Sequence, residues 1–175
     1  MERTPPIARD PAALTADDFV IDYGMWTTRL PMTSWEAAGM LVGYAPEGRS
    51  QAPLEPEEIA RVQWVADHER ELFDAVMAAV LAEYPALREE ALAATDGELA
   101  DELPVITRPE ELRHVLALGN VYVHPLDGGP FVGFSFASPI DDEHGVGVLV
   151  RGTQVVEVAQ ADVAFVKWMA ERHAA

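Results

Sequence analysis

The sequence contains no cysteine, which excludes disulfide bonds, thiol nucleophiles and cysteine-ligated zinc or iron–sulfur sites. Any metal would therefore need histidine, aspartate or glutamate ligands. No apolar run approaches the ~20 residues that span a bilayer, and the first residues lack the apolar segment of a secretory signal. These absences predict a soluble protein that makes no membrane contact, and they favour a cytoplasmic location.

Basic residues are scarce, and Lys167 is the only lysine among the 12 of them. The 30 acidic residues give a formal net charge of −18 at pH 7, which argues against a nucleic-acid partner. Residues 53–103 hold 14 acidic residues and three arginines, a net charge of −11. This segment is either a solvated helix face or a docking surface for a basic protein partner.

The first half of the chain predicts a two-stranded ribbon followed by helices. The strands are expected at residues 23–30 and 39–44, with Pro31 ending the first. Apolar residues then recur at three- and four-residue steps from Pro56, which predicts one long helix that Pro85 ends near Tyr84. Shorter helices are expected at residues 86–94, 109–118 and 161–173.

The second half predicts an antiparallel meander of four strands, with Val132, Phe134 and Phe136 facing the core. The predicted fold class is therefore α+β: an antiparallel sheet, made of the C-terminal meander and the N-terminal ribbon, packed by one long and several short helices. We expect a single domain over residues 19–175 after a flexible, proline-interrupted leader of residues 1–18. The four strands are predicted at residues 121–124, 131–137, 146–150 and 154–158.

The densest polar cluster, at residues 141–145, is predicted to lie in the connection between two strands. Its carboxylates and imidazole could ligate a divalent metal or supply an acid and a base. The alternative is a structural turn in which the aspartates bind backbone N–H groups and the glycine supplies a positive φ. The candidate functional residues are Asp141, Asp142, Glu143, His144 and Gly145.

Metal ligation at this cluster has weaker support than its composition suggests. The weak candidate ligands are Asp142, Glu143 and His144, together with His124 at the end of a predicted strand. The spacing matches neither a calcium-binding loop nor a zinc-binding helix, and no glycine-rich phosphate loop is present. We therefore expect no cofactor.

The segments around this cluster resemble a widespread bacterial family of unknown function. Residues 131–136 read FVGFSF, residues 141–148 read DDEHGVGV and residues 155–158 read VVEV. Members of that family are similar in an acid-x-Glu-His-Gly-hydrophobic-Gly-Val loop, here Asp141 to Val148. The resemblance covers most of residues 20–168 and implies no established activity.

Two functional hypotheses follow. The first is a non-enzymatic protein-binding module, similar in class to immunity proteins, which uses its acidic surface to bind a basic partner. The second is a metal-binding protein or enzyme centred on residues 141–144. A homodimer is also compatible with the sequence.

Overall fold

The computed structural model describes residues 4–5, 7–46 and 51–174 and has an α+β fold, as predicted. Seven strands form one sheet in which the strand order follows the chain. Neighbouring strands pair antiparallel except β3 and β4, which pair parallel. The strands are β1 Val20–Asp22, β2 Met25–Met32, β3 Ala37–Tyr44, β4 Ala117–His124, β5 Phe131–Ser138, β6 Asp141–Arg151 and β7 Gln154–Gln160.

The predicted ribbon and meander are both present, as β2–β3 and β4–β7, but they form one continuous sheet. They join where Val42 of β3 lies beside Val121 of β4. A parallel pair needs a long crossover, which the intervening helical segment supplies. The strand β1 was not predicted, because three residues are too short to show an alternating pattern.

Pro31 lies within β2, so the prediction that it ends the strand is wrong. The pairing of β2 with β3 is irregular between Leu30 and Met32. On its other side β2 pairs with β1 only from Met25 to Thr27. Pro31 therefore lies at a break in one ladder and beyond the end of the other, where a missing N–H is tolerated.

The predicted long helix is two helices, α1 Pro56–Asp67 and α2 Glu69–Ala94. The break falls at His68, whose backbone leaves the helical region and whose ring stacks on Trp64 at 4.3 Å. Pro85 lies inside α2 and does not end it. Contacts on either side of the proline hold the helix together: the Tyr84 hydroxyl donates to the Pro104 carbonyl at 2.7 Å, and Arg88 donates to the Leu103 carbonyl at 2.6 Å.

Two shorter predicted helices also differ. The segment at residues 109–118 is a 3₁₀ helix, Pro109–His114, and β4 begins at Ala117. The C-terminal helix is interrupted at the extended residue Val166, which separates α3 Asp162–Phe165 from α4 Lys167–Glu171. No helix among the described residues is long and apolar enough to cross a membrane.

Both faces of the central strands are packed. Val132, Phe134 and Phe136 face the main core, as predicted, where Trp35 stacks on Phe134 at 5.3 Å. On the opposite face α3 lies so close to β5 that a Cβ added to Gly133 would be 1.8 Å from the Ala164 carbonyl oxygen. Only glycine allows this approach.

Part of the segment predicted as a leader contacts the sheet. The N–H of Ala8 donates to the Arg29 carbonyl at 2.9 Å, and Leu14 is buried in the main core. The division of the chain into residues 1–18 and a single domain of residues 19–175 stays a prediction.

Candidate functional site

The cluster at residues 141–145 lies in strand β6 and not in the connection, which is the tight turn at Pro139 and Ile140. Asp141 pairs with Ser138, and the next pair in the ladder is Val146 with Phe136. Residues 142–145 therefore form a bulge opposite a single residue of β5. Bulges of this kind redirect side chains at the end of a sheet.

The Asp141 side chain stabilises the bulge through hydrogen bonds. Its Oδ1 accepts hydrogen bonds from the backbone N–H of His144 at 2.9 Å and from the His144 ring at 3.2 Å, and its Oδ2 accepts one from Gln160 at 2.9 Å. Burial opposes ionisation of Asp141, but these hydrogen bonds outweigh it and hold its pKa below the ordinary value. Both oxygens of this carboxylate thus accept hydrogen bonds from groups of the protein itself.

Gly145 completes the bulge in a conformation that other residues adopt with strain. Its φ is +71°, and an added Cβ would lie 2.4 Å from the Phe136 carbonyl oxygen. The positive φ expected for this residue is confirmed. Asp141 and Gly145 shape the segment, while Asp142, Glu143 and His144 are exposed on it.

A cleft of about 750 Å³ separates this bulge from the C-terminal half of α2 and the turns that follow it. Its size falls within the range of ligand-binding pockets, roughly 300–1,000 Å³. Apolar side chains from both sides form much of its wall. They include Leu87, Ala91, Leu99, Ile140, Val146 and Ala159.

Carboxylates line the cleft from opposite sides. Glu90 and Glu102 come from the helical side, and Asp142 and Glu143 come from the bulge. None of the four makes an ion pair or a side-chain hydrogen bond with a residue that the structure describes. Lysine and arginine are absent from the described lining, so the cleft has an uncompensated negative potential that attracts cations.

His124 does not belong to this site. It faces Phe131 at one end of β5, whereas Asp141 faces Ser138 at the other end. Seven residues of strand separate the two ends, a rise of about 23 Å. His124 is buried and its Nε2–H donates to the Ala164 carbonyl at 2.9 Å. A metal shared between His124 and His144 is therefore geometrically impossible.

Within the described ranges, no group of three or more His, Cys, Asp or Glu side chains is arranged to hold a metal ion. In the bulge, His144 is turned toward Asp141, whereas Asp142 and Glu143 border the cleft. Within the candidate loop, Asp141 and His144 thus form a structural pair, and Asp142 and Glu143 form part of the cleft wall.

The sequence profile of a domain of unknown function, DUF6985, matches residues 18–165. The chain belongs to the DUF6985 family. The DUF6985 match contains all seven strands and every described residue of the cleft, and it ends before α4. The predicted resemblance to a family of unknown function is confirmed at that level, and the proposed loop signature stays a prediction. No curated protein and no solved structure matches the chain.

Sequence reasoning missed Glu90, Glu102 and the cleft itself. In the sequence, Glu90 and Glu102 stand out only as two of the 14 acidic residues of residues 53–103. A usable signal was present in α2, where the apolar stripe changes from large residues to Ala91 and Ala94. Small side chains on a packing face leave space beside a neighbouring element, and here that space is the cleft.

Proposed function

We propose that this DUF6985 protein is a non-enzymatic protein-binding module whose acidic helical half binds a basic partner. The observation that carries the proposal is a cleft with an apolar wall and four carboxylates, none of which pairs with a side chain in the part of the chain that the structure describes. The partner's basic side chains would supply the missing charge, and its apolar groups would cover the wall.

The arginines of the acidic segment leave most of its charge available. Arg70 pairs with Asp74 at 3.1 Å within the segment. Arg61 binds Asp127 and the Leu126 carbonyl instead, and Arg88 binds the Leu103 carbonyl. Two of the three arginines are thus directed at groups other than the segment's own carboxylates, which supports a surface that attracts cationic proteins.

This proposal places the protein in the same functional class as immunity proteins, which are small acidic proteins that hold a toxin partner. The comparison is one of class, because an α+β fold serves many functions. It yields a specific expectation: a basic partner bound tightly, with association that slows as salt is added.

The test is affinity capture from a lysate of the source organism at about 0.1 M and about 1 M salt, where the Debye length falls from about 10 Å to about 3 Å. We expect one basic protein, recovered in near-equal amount at low salt, identified by mass spectrometry and lost at high salt. Recovery of no basic protein at low salt would contradict the proposal.

A pair of charge-reversal variants locates the surface. Glu90→Lys with Glu102→Lys reverses two carboxylates on the helical side of the cleft, and Asp17→Lys with Asp22→Lys changes the net charge equally at the β1 edge of the sheet. Capture should be strongly weakened by the first pair and largely kept by the second. Equal loss in both would show that overall charge, and not this surface, determines capture.

The alternative is a metal-binding protein or enzyme centred on residues 141–144. Its support is the exposure of His144 beside Asp142 and Glu143 on the bulge. A divalent cation that raised the melting temperature of the wild-type protein, but not that of His144→Ala, would favour this alternative.

A further inference from the structure

We infer that the cleft binds an arginine side chain, flanked by apolar residues, of an exposed segment of the basic partner. This inference rests on the proposed function and specifies the chemistry that the cleft recognises.

The apolar part of the cleft excludes a purely charged ligand. Leu87 and Leu99 on one side and Ile140 and Val146 on the other present hydrocarbon to the space between them. A strongly hydrated cation would leave this surface uncovered. A side chain with a hydrocarbon stem, next to apolar neighbours in its own chain, removes it from water.

The carboxylates of the cleft determine which charged terminal group of a ligand side chain it binds. Glu90 and Glu102 face the cleft from the helical side, and Asp142 and Glu143 face it from the bulge. Arginine carries a planar guanidinium with five N–H donors, which can bind carboxylates on two sides at once. Lysine carries a more strongly hydrated point charge and offers no such fork. Arginine therefore matches both parts of the cleft.

The volume allows more than one side chain. A cleft of about 750 Å³ is large for a single guanidinium and its stem. The remaining space accommodates the apolar neighbours of the arginine. The expected ligand is consequently a short sequence pattern, apolar–arginine–apolar, and not an isolated charge.

The bulge wall is held in place before any ligand arrives. Asp141 binds His144 and Gln160, so it fixes the backbone from which Asp142 and Glu143 project. Little ordering of this wall is then required on binding, which favours affinity. Asp141 acts as a positioning residue, and the four carboxylates that line the cleft from its two sides are the contact residues.

The experiment is an NMR titration of the full chain with a short peptide in which one arginine lies between two leucines. Its controls are the same peptide with glutamine in place of arginine, and spermine. The arginine peptide should shift the amide signals of residues 87–102 and 141–147. The glutamine peptide should leave them unchanged, and spermine should bind more weakly because it lacks the leucine side chains that cover the apolar wall.

Matched variants separate the cleft from general acidity. Glu90→Gln with Glu143→Gln removes one carboxylate from each wall, and we expect binding about tenfold weaker. Glu83→Gln with Glu89→Gln removes the same charge from α2 outside the cleft and should change affinity much less. Unfolding curves establish that both variants fold.

Three outcomes would overturn the inference: no shift with the arginine peptide, equal binding of the glutamine peptide or spermine, or equal weakening by both variant pairs. Failure of the proposed function is distinguishable. If the peptide binds in the cleft but the lysate yields no basic protein, the proposed function fails alone. If a partner is captured but the peptide does not bind, the inference fails alone.

Discussion

His124 is a buried histidine, and its position gives the protein a measurable response to pH. Burial lowers its pKa below the ordinary value of 6.5, nearby Lys167 lowers it further, and the hydrogen bond to Ala164 offsets these effects only in part. The folded protein therefore keeps this ring neutral at a pH where the unfolded chain binds a proton.

The expected consequence is that the free energy of unfolding decreases as the pH falls below about 6.5, because the unfolded state then binds more protons. The variant His124→Gln should remove this decrease. Urea unfolding between about pH 7 and pH 5 measures it, with His114→Gln, which replaces an exposed histidine, as the control. A His124→Gln protein with an unchanged pH dependence would contradict this assignment.

Burial opposes ionisation of Asp18 and Asp141, but the hydrogen bonds that they accept outweigh it and lower their pKa values in the folded protein. The stability that these two carboxylates contribute to the fold is therefore lost only at more acidic pH.

At the residue scale, the sequence predicted local roles better than spatial neighbours. A positive φ at Gly145 was part of the structural-turn alternative, and the residue has it, although it lies in the bulge of β6 and not in the turn. That Glu90 and Glu143 line the same cleft could not be predicted, because it depends on how α2 lies relative to the sheet. The sequence likewise could not show that His124 and the segment of residues 141–145 lie at opposite ends of β5.

The close contact of α3 with β5 provides a test at the scale of elements. Gly133→Ala should destabilise the protein by about 1–3 kcal/mol, because the new methyl group meets the Ala164 carbonyl and α3 must move. Gly119→Ala is the matched control, since its nearest neighbour, the Ser135 carbonyl oxygen, lies at an ordinary 3.5 Å. Urea unfolding measures both changes. Equal effects of the two substitutions would show that the contact with α3 does not limit stability.

Elements with a long, regular pattern were predicted, and their ends were not. The alternation at Val132, Phe134 and Phe136 identified the core face of β5, and the spacing of apolar residues identified most of α1 and α2. Pro85 was read as a helix end because proline disrupts isolated helices, but tertiary contacts at Tyr84 and Arg88 sustain α2 through it. The parallel pairing of β3 with β4 depends on the whole intervening segment and has no local signature.

At the scale of the whole molecule, charge is unevenly distributed. Residues 53–103 carry a net charge of −11 of the total −18, and they supply the helical side of the cleft. The bulge of β6 supplies the other side with two further carboxylates. The acidic segment and the candidate loop, which the sequence presented as competing explanations, thus form two walls of one feature.

In the proposed complex, carboxylates of this cleft contact basic groups of a partner protein. Carbodiimide cross-linking of the captured complex tests it most directly, because the reagent joins a carboxylate to a lysine amine that it already touches. Lys167 is the only lysine in this chain, so few cross-links can form within the chain. A cross-link to any other lysine therefore identifies the partner.

We predict that mass spectrometry of the cross-linked complex finds lysines from the partner surface around the cleft joined to Glu90, Glu102, Asp142 or Glu143. Cross-links that instead join the partner to Asp17 or Asp22, at the opposite edge of the sheet, would contradict the account.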